Sequence, residues 1–395
     1  MMKLNRYKYI LVLISLFFSA CENLDISSGQ ADTFIKIYGS WNSDTGVDVK
    51  PFNDGYVVLA TITDVQNDGA ETDIALIFID KFGNQAGDIV TLDGGGNDMA
   101  AKLLKTNDGG FIVLGTLYDT LYNNEDILLA KYSPEGQLDW QKTIGGTSSN
   151  EQGKSIKLAQ TGYIVVGNTD DNAQETWDVV MIKMDNDGNV EWQNIFSGTG
   201  IDKANDVIMH NSGYLLVGET NSFNESGQAG YNILAIKTNF TGGETDKFTY
   251  GGTHNDYGKS VVEVDDGFII VGSVENIAGG NSDAYVLKVE KNDLIHIIWN
   301  KSFGSNLNDF ANSIIKTNGD VVVVGSEGNI TGSYGLFLNI DNEGNSLYSN
   351  TLGGYNQIFY AIERTSDGGF ILTGSTGAEG NEQVMLVKLN PNGEL

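Results

Sequence analysis

A carboxylic acid recurs along the sequence at an interval of about fifty residues. Six acids and one glutamine occupy this position: Asp44, Asp98, Glu151, Asp202, Asp256, Asp309 and Gln357. Carboxylate oxygens are the ligands that Ca²⁺ prefers, so the column could bind a cation. The candidates for such a site are Asp98, Asp202, Asp256 and Asp309. The alternative is that each acid accepts hydrogen bonds from its own turn. Recurrence favours this alternative, because a ligand site rarely needs six equivalent groups.

A second recurring position is basic. It lies five residues before a turn glycine or its equivalent: Lys131, Lys183, Lys237, Lys288 and Lys388. The polar residue five positions before each lysine would lie on the opposite face of a strand, because side chains alternate between the two faces. We therefore expect each ammonium group to meet a carboxylate of the neighbouring repeat.

Four aromatic residues lie outside the repeating pattern, in the segments that separate two strand-like runs: Tyr118, Tyr122, Trp177 and Phe223. Irregular loops often carry ligand-contacting residues, so these four are the candidates for binding. Other aromatic residues recur at one place in the repeat, among them Trp140, Trp192 and Trp299. We expect these to pack between repeats rather than to form a sugar-binding platform.

The sequence offers little for established catalytic chemistry. Its three histidines share no spacing that would hold a transition metal. Its single cysteine, Cys21, excludes disulfides and leaves no other thiol for catalysis. No nucleophile elbow or phosphate-binding loop is present. We therefore predict no catalytic residue and no cofactor beyond the Ca²⁺ considered above. With 52 acidic residues, a carboxylate-pair hydrolase remains an alternative.

These positions belong to a unit that is repeated seven times. Each copy has a glycine before its most apolar run: Gly55, Gly110, Gly162, Gly213, Gly267, Gly319 and Gly369. Each unit contains four β-like runs, with a tight turn between the third and the fourth. The second run is apolar on both faces, so every unit needs a neighbour on each side. A closed ring provides this, and the sequence predicts an all-β, seven-bladed β-propeller with four antiparallel strands per blade.

The two ends of the repeat region complement each other. Residues 33–38 match the fourth run of a repeat, whereas the C-terminal blade, residues 359–395, stops after its third run. We expect residues 34–38 to pair with residues 384–389. The N-terminal strand then completes the C-terminal blade and closes the ring without an unpaired sheet edge. Residues 33–395 form a single domain in this interpretation.

Residues 1–20 are predicted to be a lipoprotein signal peptide. A basic segment precedes an apolar stretch that is too short to span a bilayer, and Cys21 follows at once. The stretch resembles a bacterial lipobox, with Phe18 where that motif usually has leucine. The resemblance implies that Cys21 becomes the acylated first residue of the mature chain and that residues 21–32 form a polar tether. The lipid would anchor the protein to the bacterial outer membrane, on its periplasmic or its surface side.

The net charge of -29 argues against nucleic acid as a partner, because phosphate backbones would be repelled. A protein or glycan partner fits this charge better. We expect a monomer whose only membrane contact is the lipid anchor.

The repeats resemble a known family in the order of their residues. An apolar strand ending at Gly167, a strand beginning at Asp178, a turn and then Trp192 resemble a kelch-type repeat, although kelch units have two glycines after the apolar strand. The chain is also similar to repetitive propellers in secreted and lipid-anchored proteins of Bacteroidota, and more loosely to quinoprotein-like propellers. The resemblance covers residues 33–395 and implies a fold rather than an activity.

Together these patterns predict a lipid-anchored propeller outside the cytoplasm that acts as a non-enzymatic binding or scaffolding module. The alternative is a glycan-binding or glycan-active propeller.

Overall fold

The computed structural model describes residues 33–39, 42–64, 71–170, 176–223, 230–275, 280–329, 332–354, 356–378 and 380–395. These residues contain 28 β-strands and the loops that connect them. The strands are β1 (Phe34–Tyr38), β2 (Thr45–Phe52), β3 (Gly55–Asp64), β4 (Glu71–Ile79), β5 (Val90–Leu92), β6 (Met99–Lys105), β7 (Phe111–Asp119), β8 (Asn124–Tyr132), β9 (Leu138–Ile144), β10 (Glu151–Leu158), β11 (Tyr163–Thr169), β12 (Asp178–Met184), β13 (Val190–Phe196), β14 (Asp202–His210), β15 (Gly213–Thr220), β16 (Asn232–Asn239), β17 (Glu244–Tyr250), β18 (Asp256–Glu263), β19 (Gly267–Glu275), β20 (Ser282–Glu290), β21 (Ile297–Phe303), β22 (Phe310–Lys316), β23 (Val321–Asn329), β24 (Gly332–Ile340), β25 (Ser346–Leu352), β26 (Gln357–Arg364), β27 (Phe370–Thr376) and β28 (Gln383–Leu389). Cys21, the proposed signal peptide and the proposed tether lie outside the described residues. No described segment forms a helix long and apolar enough to cross a membrane.

The strands form seven four-stranded antiparallel sheets, which confirms the predicted blades. Six sheets follow chain order, from β2-β3-β4-β5 to β22-β23-β24-β25, and the seventh has the order β1-β28-β27-β26. In that sheet Phe34 lies opposite Lys388 and Tyr38 lies opposite Val384, so the predicted ring closure is confirmed. The first strand of this blade begins at Gln357, two residues before the predicted boundary.

The second strand of each blade is buried on both faces because it lies between two neighbouring blades. In β7 the consecutive residues Ile112 and Val113 are both 0% exposed. Val113 packs with Leu59 of the preceding blade, whereas Ile112 packs with Val165 of the following blade. The apolar runs therefore join each blade to the next and hold the ring together.

The acidic turn between β12 and β13 is a hairpin turn, as its counterparts in other repeats predict. Gly188 adopts a φ of 75°, a conformation that glycine reaches without a Cβ clash. Asp185 accepts hydrogen bonds from the backbone N–H groups of Asp187 and Asn189 at 2.9 Å and 2.7 Å. This carboxylate therefore stabilises its own turn.

The recurring lysines are buried, but the carboxylates they meet are not those we expected. Four of the five ammonium groups form ion pairs within their own blade, so the prediction of a carboxylate from the neighbouring repeat is wrong. The pairs are Lys131 with Asp108 at 2.9 Å, Lys183 with Glu191 at 2.7 Å, Lys288 with Asp266 at 2.8 Å and Lys388 with Asp367 at 2.8 Å.

The physical reason lies in sheet pairing. Lys131 pairs with Ile112 in the adjacent strand, so the turn that precedes β7 lies directly beside the lysine and brings its aspartate within reach. Contacts to the next blade do exist, but they involve polar groups rather than carboxylates. Lys237 donates to the backbone carbonyl of Lys291 at 2.6 Å, and Lys288 donates to the Asn342 side chain at 2.7 Å.

Candidate functional site

The first strand of each blade lies innermost, where consecutive first strands contact one another around the propeller axis. Each first strand contains a β-bulge at the same place, for example between Gly153 and Ser155. A bulge leaves one residue unpaired and redirects its side chain. The seven unpaired residues line one cavity of about 380 Å³, which we call the upper cavity: Val47, Ala101, Lys154, Asn205, Lys259, Asn312 and Tyr360.

The lining of the upper cavity differs from blade to blade. Four consecutive blades contribute polar or cationic side chains, in the order lysine, asparagine, lysine and asparagine. The unpaired residues of the remaining three consecutive blades are Tyr360, Val47 and Ala101, and Lys102 of the second blade also lines the cavity. Among the unpaired residues, those on one side are therefore polar or cationic, and those on the opposite side are largely apolar. Pockets of this kind fix the orientation of a ligand through a few polar groups on an apolar background.

Lys154 is the cation of the upper cavity that has no partner among the described residues: no hydrogen bond or ion pair involves its ammonium group. Burial, followed by repulsion from Lys203, lowers the pKa of Lys154 below its ordinary value. By contrast, Lys259 lies 3.7 Å from a Glu219 carboxylate oxygen. Lys154 is therefore the side chain on this side of the cavity that is most available to a hydrogen-bond acceptor on a ligand.

The four aromatic candidates do not form one site. Trp177 lies beside a first strand, because its carbonyl accepts from the Asp202 N–H at 2.6 Å and its ring centroid is 5.2 Å from Lys203 Nζ. Phe223 instead lies beside an outer strand, with Lys247 Nζ of β17 at 4.1 Å from its ring centroid.

Tyr118 lies near the end of β7, and Tyr122 lies in the turn between β7 and β8. The Tyr118 hydroxyl donates to Asn123 within that turn at 2.6 Å, and Tyr122 is 50% exposed. Of the four aromatic candidates, Trp177 is the one related to the upper cavity, because Lys203, which lies over its ring, also repels Lys154 in that cavity.

The recurring acids are buried and accept hydrogen bonds from their own blades. Asp98 accepts from the backbone N–H groups of Gly94 at 2.6 Å and Tyr118 at 2.7 Å. Asp256 accepts in the same way from Gly252 at 2.8 Å and Glu275 at 3.3 Å. Asp202 accepts from the hydroxyl groups of Thr220 and Ser222 and from the backbone of Gly198 in the preceding loop. Asp309 accepts from the backbone N–H groups of Ser305 and Gly328. Each of these acids thus links the loop before its first strand to the end of its second strand. This arrangement agrees with the alternative in which the acids accept hydrogen bonds from their own turns.

One of these acids stands in a carboxylate cluster. Oxygen atoms of Asp73, Asp93 and Asp98 lie within 4.8 Å of one another. Burial first, and then the charges of Asp93 and Asp73, raise the pKa of Asp98 to about 6. Since both Asp98 oxygens already accept backbone hydrogen bonds, we interpret this side chain as structural.

The raised pKa of Asp98 gives a testable pH dependence. A carboxyl group whose pKa is higher in the folded than in the unfolded chain destabilises the fold when ionised, and this loss is recovered as the pH falls through the folded pKa. We expect Asp98 alone to add about 1 kcal/mol of stability between pH 7 and pH 5. Urea unfolding at both pH values measures this. In Asp98→Asn that gain should disappear, and an unchanged pH profile in the variant would show that Asp98 is not the group responsible.

Sequence reasoning missed the residues of the upper cavity. They lie three positions after the recurring acid or glutamine, and in six of the seven repeats they directly follow a small residue, whereas Tyr360 follows Phe359. The sequence signal that could have revealed them is that this position varies between repeats. It is valine, alanine, lysine, asparagine, lysine, asparagine and tyrosine in the seven copies, whereas the neighbouring positions are more uniform.

Known propellers share this fold at very low sequence identity. The propeller domain of the Trilobed protease from Pyrococcus furiosus matches 89% of this chain and 94% of its own, with a TM-score of 0.52 and 9% identity. That domain has an open velcro topology, whereas here β1 pairs with β28. The uncomplexed acylaminoacyl peptidase of Pyrococcus horikoshii matches 89% of this chain with a TM-score of 0.52 and 9% identity, and this chain spans 53% of its length.

Sqt1 of Chaetomium thermophilum, solved with the N-terminus of ribosomal protein L10, matches 91% of this chain and 100% of its own, with a TM-score of 0.52 and 9% identity. No protein-family model and no curated protein sequence matches the chain. At this identity the likeness shows the fold alone. The chain is a seven-bladed β-propeller that resembles the propellers of peptidases in architecture, with its ring closed by the N-terminal strand.

Proposed function

We propose that this propeller is a non-enzymatic binding or scaffolding module and that its ligand enters the upper cavity. The observation that carries the proposal is the lining of that cavity by seven side chains that differ between otherwise equivalent blades. A ring of equal units would offer the same contacts in every direction. The unpaired residues of this cavity are instead polar or cationic on one side and largely apolar on the other, which selects one orientation of a bound group.

The carboxylate that lines the upper cavity is held in a way that supports binding rather than catalysis. Asp206, the carboxylate that lines the upper cavity, accepts hydrogen bonds from the hydroxyl groups of Ser155 at 2.7 Å and Ser260 at 2.9 Å. Its pKa is lowered, because Lys157 and other neighbours outweigh the opposing effect of burial, which is the largest single influence. An acceptor that is held in this way is a poor general base.

The setting of the module is proposed from the sequence. Acylation at Cys21 would place the propeller at the outer membrane, as a monomer that faces either the periplasm or the exterior. We also propose, from the sequence, that the repeats are related to kelch-type and quinoprotein-like repeats.

A glycan ligand is the second candidate, and Trp177 is the observation that favours it. This half-buried indole beside the first strands could stack on a sugar ring, in the way that aromatic faces do. A glycan-active enzyme would in addition need two carboxylates that reach a substrate.

Peptide and glycan arrays test the proposal when they are probed with the wild type and with Lys154→Gln. Loss of a charge-assisted hydrogen bond should weaken binding about tenfold or more. Lys301→Gln is the matched control, because Lys301 is an exposed lysine on the outer strand β21. A Trp177→Ala variant distinguishes the candidates, since it should abolish glycan binding and leave peptide binding largely intact. Equal binding by wild type and Lys154→Gln, or the absence of any ligand on both arrays, would contradict the proposal.

A further inference from the structure

A second cavity, of about 400 Å³, lies where the first strands end, whereas the upper cavity lies near where they begin. Five of the chain's 23 lysine and arginine residues line it, together with one carboxylate. We call it the lower cavity, and its charged residues are Lys50, Lys102, Lys105, Lys157, Glu363 and Arg364. In a protein with a net charge of -29, such a concentration of positive charge focuses attraction for anions at one place.

Two further carboxylates contact these lysines, but both are already used by the fold. Asp48 accepts from the backbone N–H of Leu103 at 2.9 Å, and Asp206 accepts from Ser155 and Ser260. Both aspartate side chains are almost completely buried. Much of their acceptor capacity is therefore filled before any lysine is considered.

The lysines consequently differ in how well they are paired. Lys50 donates a hydrogen bond to Glu363 at 2.6 Å. Lys102 and Lys157 come only within 3.8 Å and 3.7 Å of the two buried carboxylates, which is too long for a hydrogen bond. An ammonium group has three donors, and among the described residues neither of these two groups donates to any atom.

The charge around Lys157 shows the same imbalance. Asp206 is the largest single influence and raises the pKa of Lys157. Burial and the positive charges of Lys102 and Lys50 outweigh it, so that the pKa lies below its ordinary value. An anion in the lower cavity would relieve this repulsion between like charges.

We infer that the lower cavity binds a phosphate group, with the ammonium groups of Lys102 and Lys157 as its donors and Lys105 and Arg364 at its rim. Five cationic groups and three carboxylates leave an excess of two positive charges, and a phosphate monoester carries about -1.5 to -2. Its terminal oxygens accept from several ammonium groups at once. The cavity is also large enough for an organic substituent beside the apolar side chain of Leu104. Lys102 also lines the upper cavity, whereas Lys157 and Lys105 line only the lower one, so variants of these two lysines test the lower cavity separately.

Isothermal titration of the purified protein in phosphate-free buffer tests this, with inorganic phosphate and phenyl phosphate as probes. We expect saturable binding of about one phosphate per chain, with a dissociation constant below about 1 mM. Acetate at the same ionic strength should give no saturable signal. Tighter binding of phenyl phosphate would identify a monoester as the ligand class, and equal binding would identify the free ion. Absence of saturable binding by both probes would overturn the inference.

Variants locate the site. Lys157→Gln should weaken phosphate binding about tenfold or more, whereas Lys157→Arg should retain it within about threefold. The exposed rim variant Lys105→Gln should bind more weakly without affecting the fold, and Lys301→Gln should bind like the wild type. Phosphate should raise the melting temperature of the wild type and of Lys301→Gln but not that of Lys157→Gln. Unchanged binding by both Lys157→Gln and Lys105→Gln would show that phosphate binds elsewhere and would overturn the inference.

Discussion

Gly335→Ile is expected to lower the free energy of unfolding by about 3 kcal/mol, because it overpacks the interface between the sixth and seventh blades. A Cβ atom at Gly335 would lie only 2.2 Å from Cε2 of Phe359. Both residues are buried, and Phe359 is 0% exposed, so neither can move into solvent. The clash must therefore displace the phenylalanine ring or separate the two blades.

This interface reverses a size relationship that other interfaces share. Elsewhere the first strand contributes a small residue that packs under a branched residue of the preceding blade. The glycine Gly46 lies against Val384, and Gly258 lies against Ile233. At the last interface the first strand contributes the large residue Phe359. Gly335, in the third strand of the preceding blade, leaves room for its ring.

A double-mutant cycle measures this coupling. Phe359→Ala alone should cost about 3–5 kcal/mol, because it empties a filled core site. The pair Gly335→Ile and Phe359→Ala restores a branched residue over a small one, so it should be more stable than the sum of the single changes predicts, by about 3 kcal/mol. Urea unfolding provides the four stabilities. The exposed Gly252→Ile is the control, since a Cβ there meets no atom within 4 Å. Additive effects would show that the two positions are independent.

Deletion of residues 33–38 is expected to open the ring and to lower the free energy of unfolding by at least about 3 kcal/mol. The deletion exposes the edge of β28 along its whole length. It also removes contacts to the first blade. The Phe34 ring packs edge-on against Tyr56 at a centroid distance of 6.4 Å, and the Tyr38 hydroxyl donates to the Gly83 carbonyl at 2.8 Å.

Thermal unfolding and gel filtration measure the effect of this deletion. We expect a lower melting temperature and association of the variant through its exposed strand edge. The control is the double variant Ile35→Thr and Ile37→Thr, which changes only the exposed face of β1 and keeps its strand pairing. A deletion variant that melts like this control and remains monomeric would show that β1 contributes little to closure.

The ring closure was predictable because it follows from the number of strand-like runs at the two ends of the repeat region. The N-terminal segment is an unmatched fourth run, the C-terminal blade lacks one, and a sheet edge that remains unpaired is costly. The sequence therefore sufficed for the pairing of β1 with β28.

The partners of the buried lysines were not predictable in the same way. Strand alternation correctly excluded a pair within one strand, but it does not show which turn lies beside the lysine. That neighbour follows from the pairing of β7 with β8, which places the turn before β7 next to Lys131. The upper and lower cavities depend even more on assembly, because their lining residues are about fifty positions apart in the sequence and meet only around the axis.

The amino-acid sequence was sufficient to predict the repeat, the four strands of each blade, the number of blades and the way in which the chain ends join. These features are local, or they follow from periodicity, and each copy of the unit encodes them again. The assembled ring was needed to show which side chains come together: Phe359 with Gly335, Lys154 with Tyr360, and Lys102 with Lys157. The reason is that closure of the ring brings together residues from distant repeats. The effect of each residue's size and charge on packing and binding depends on those neighbours.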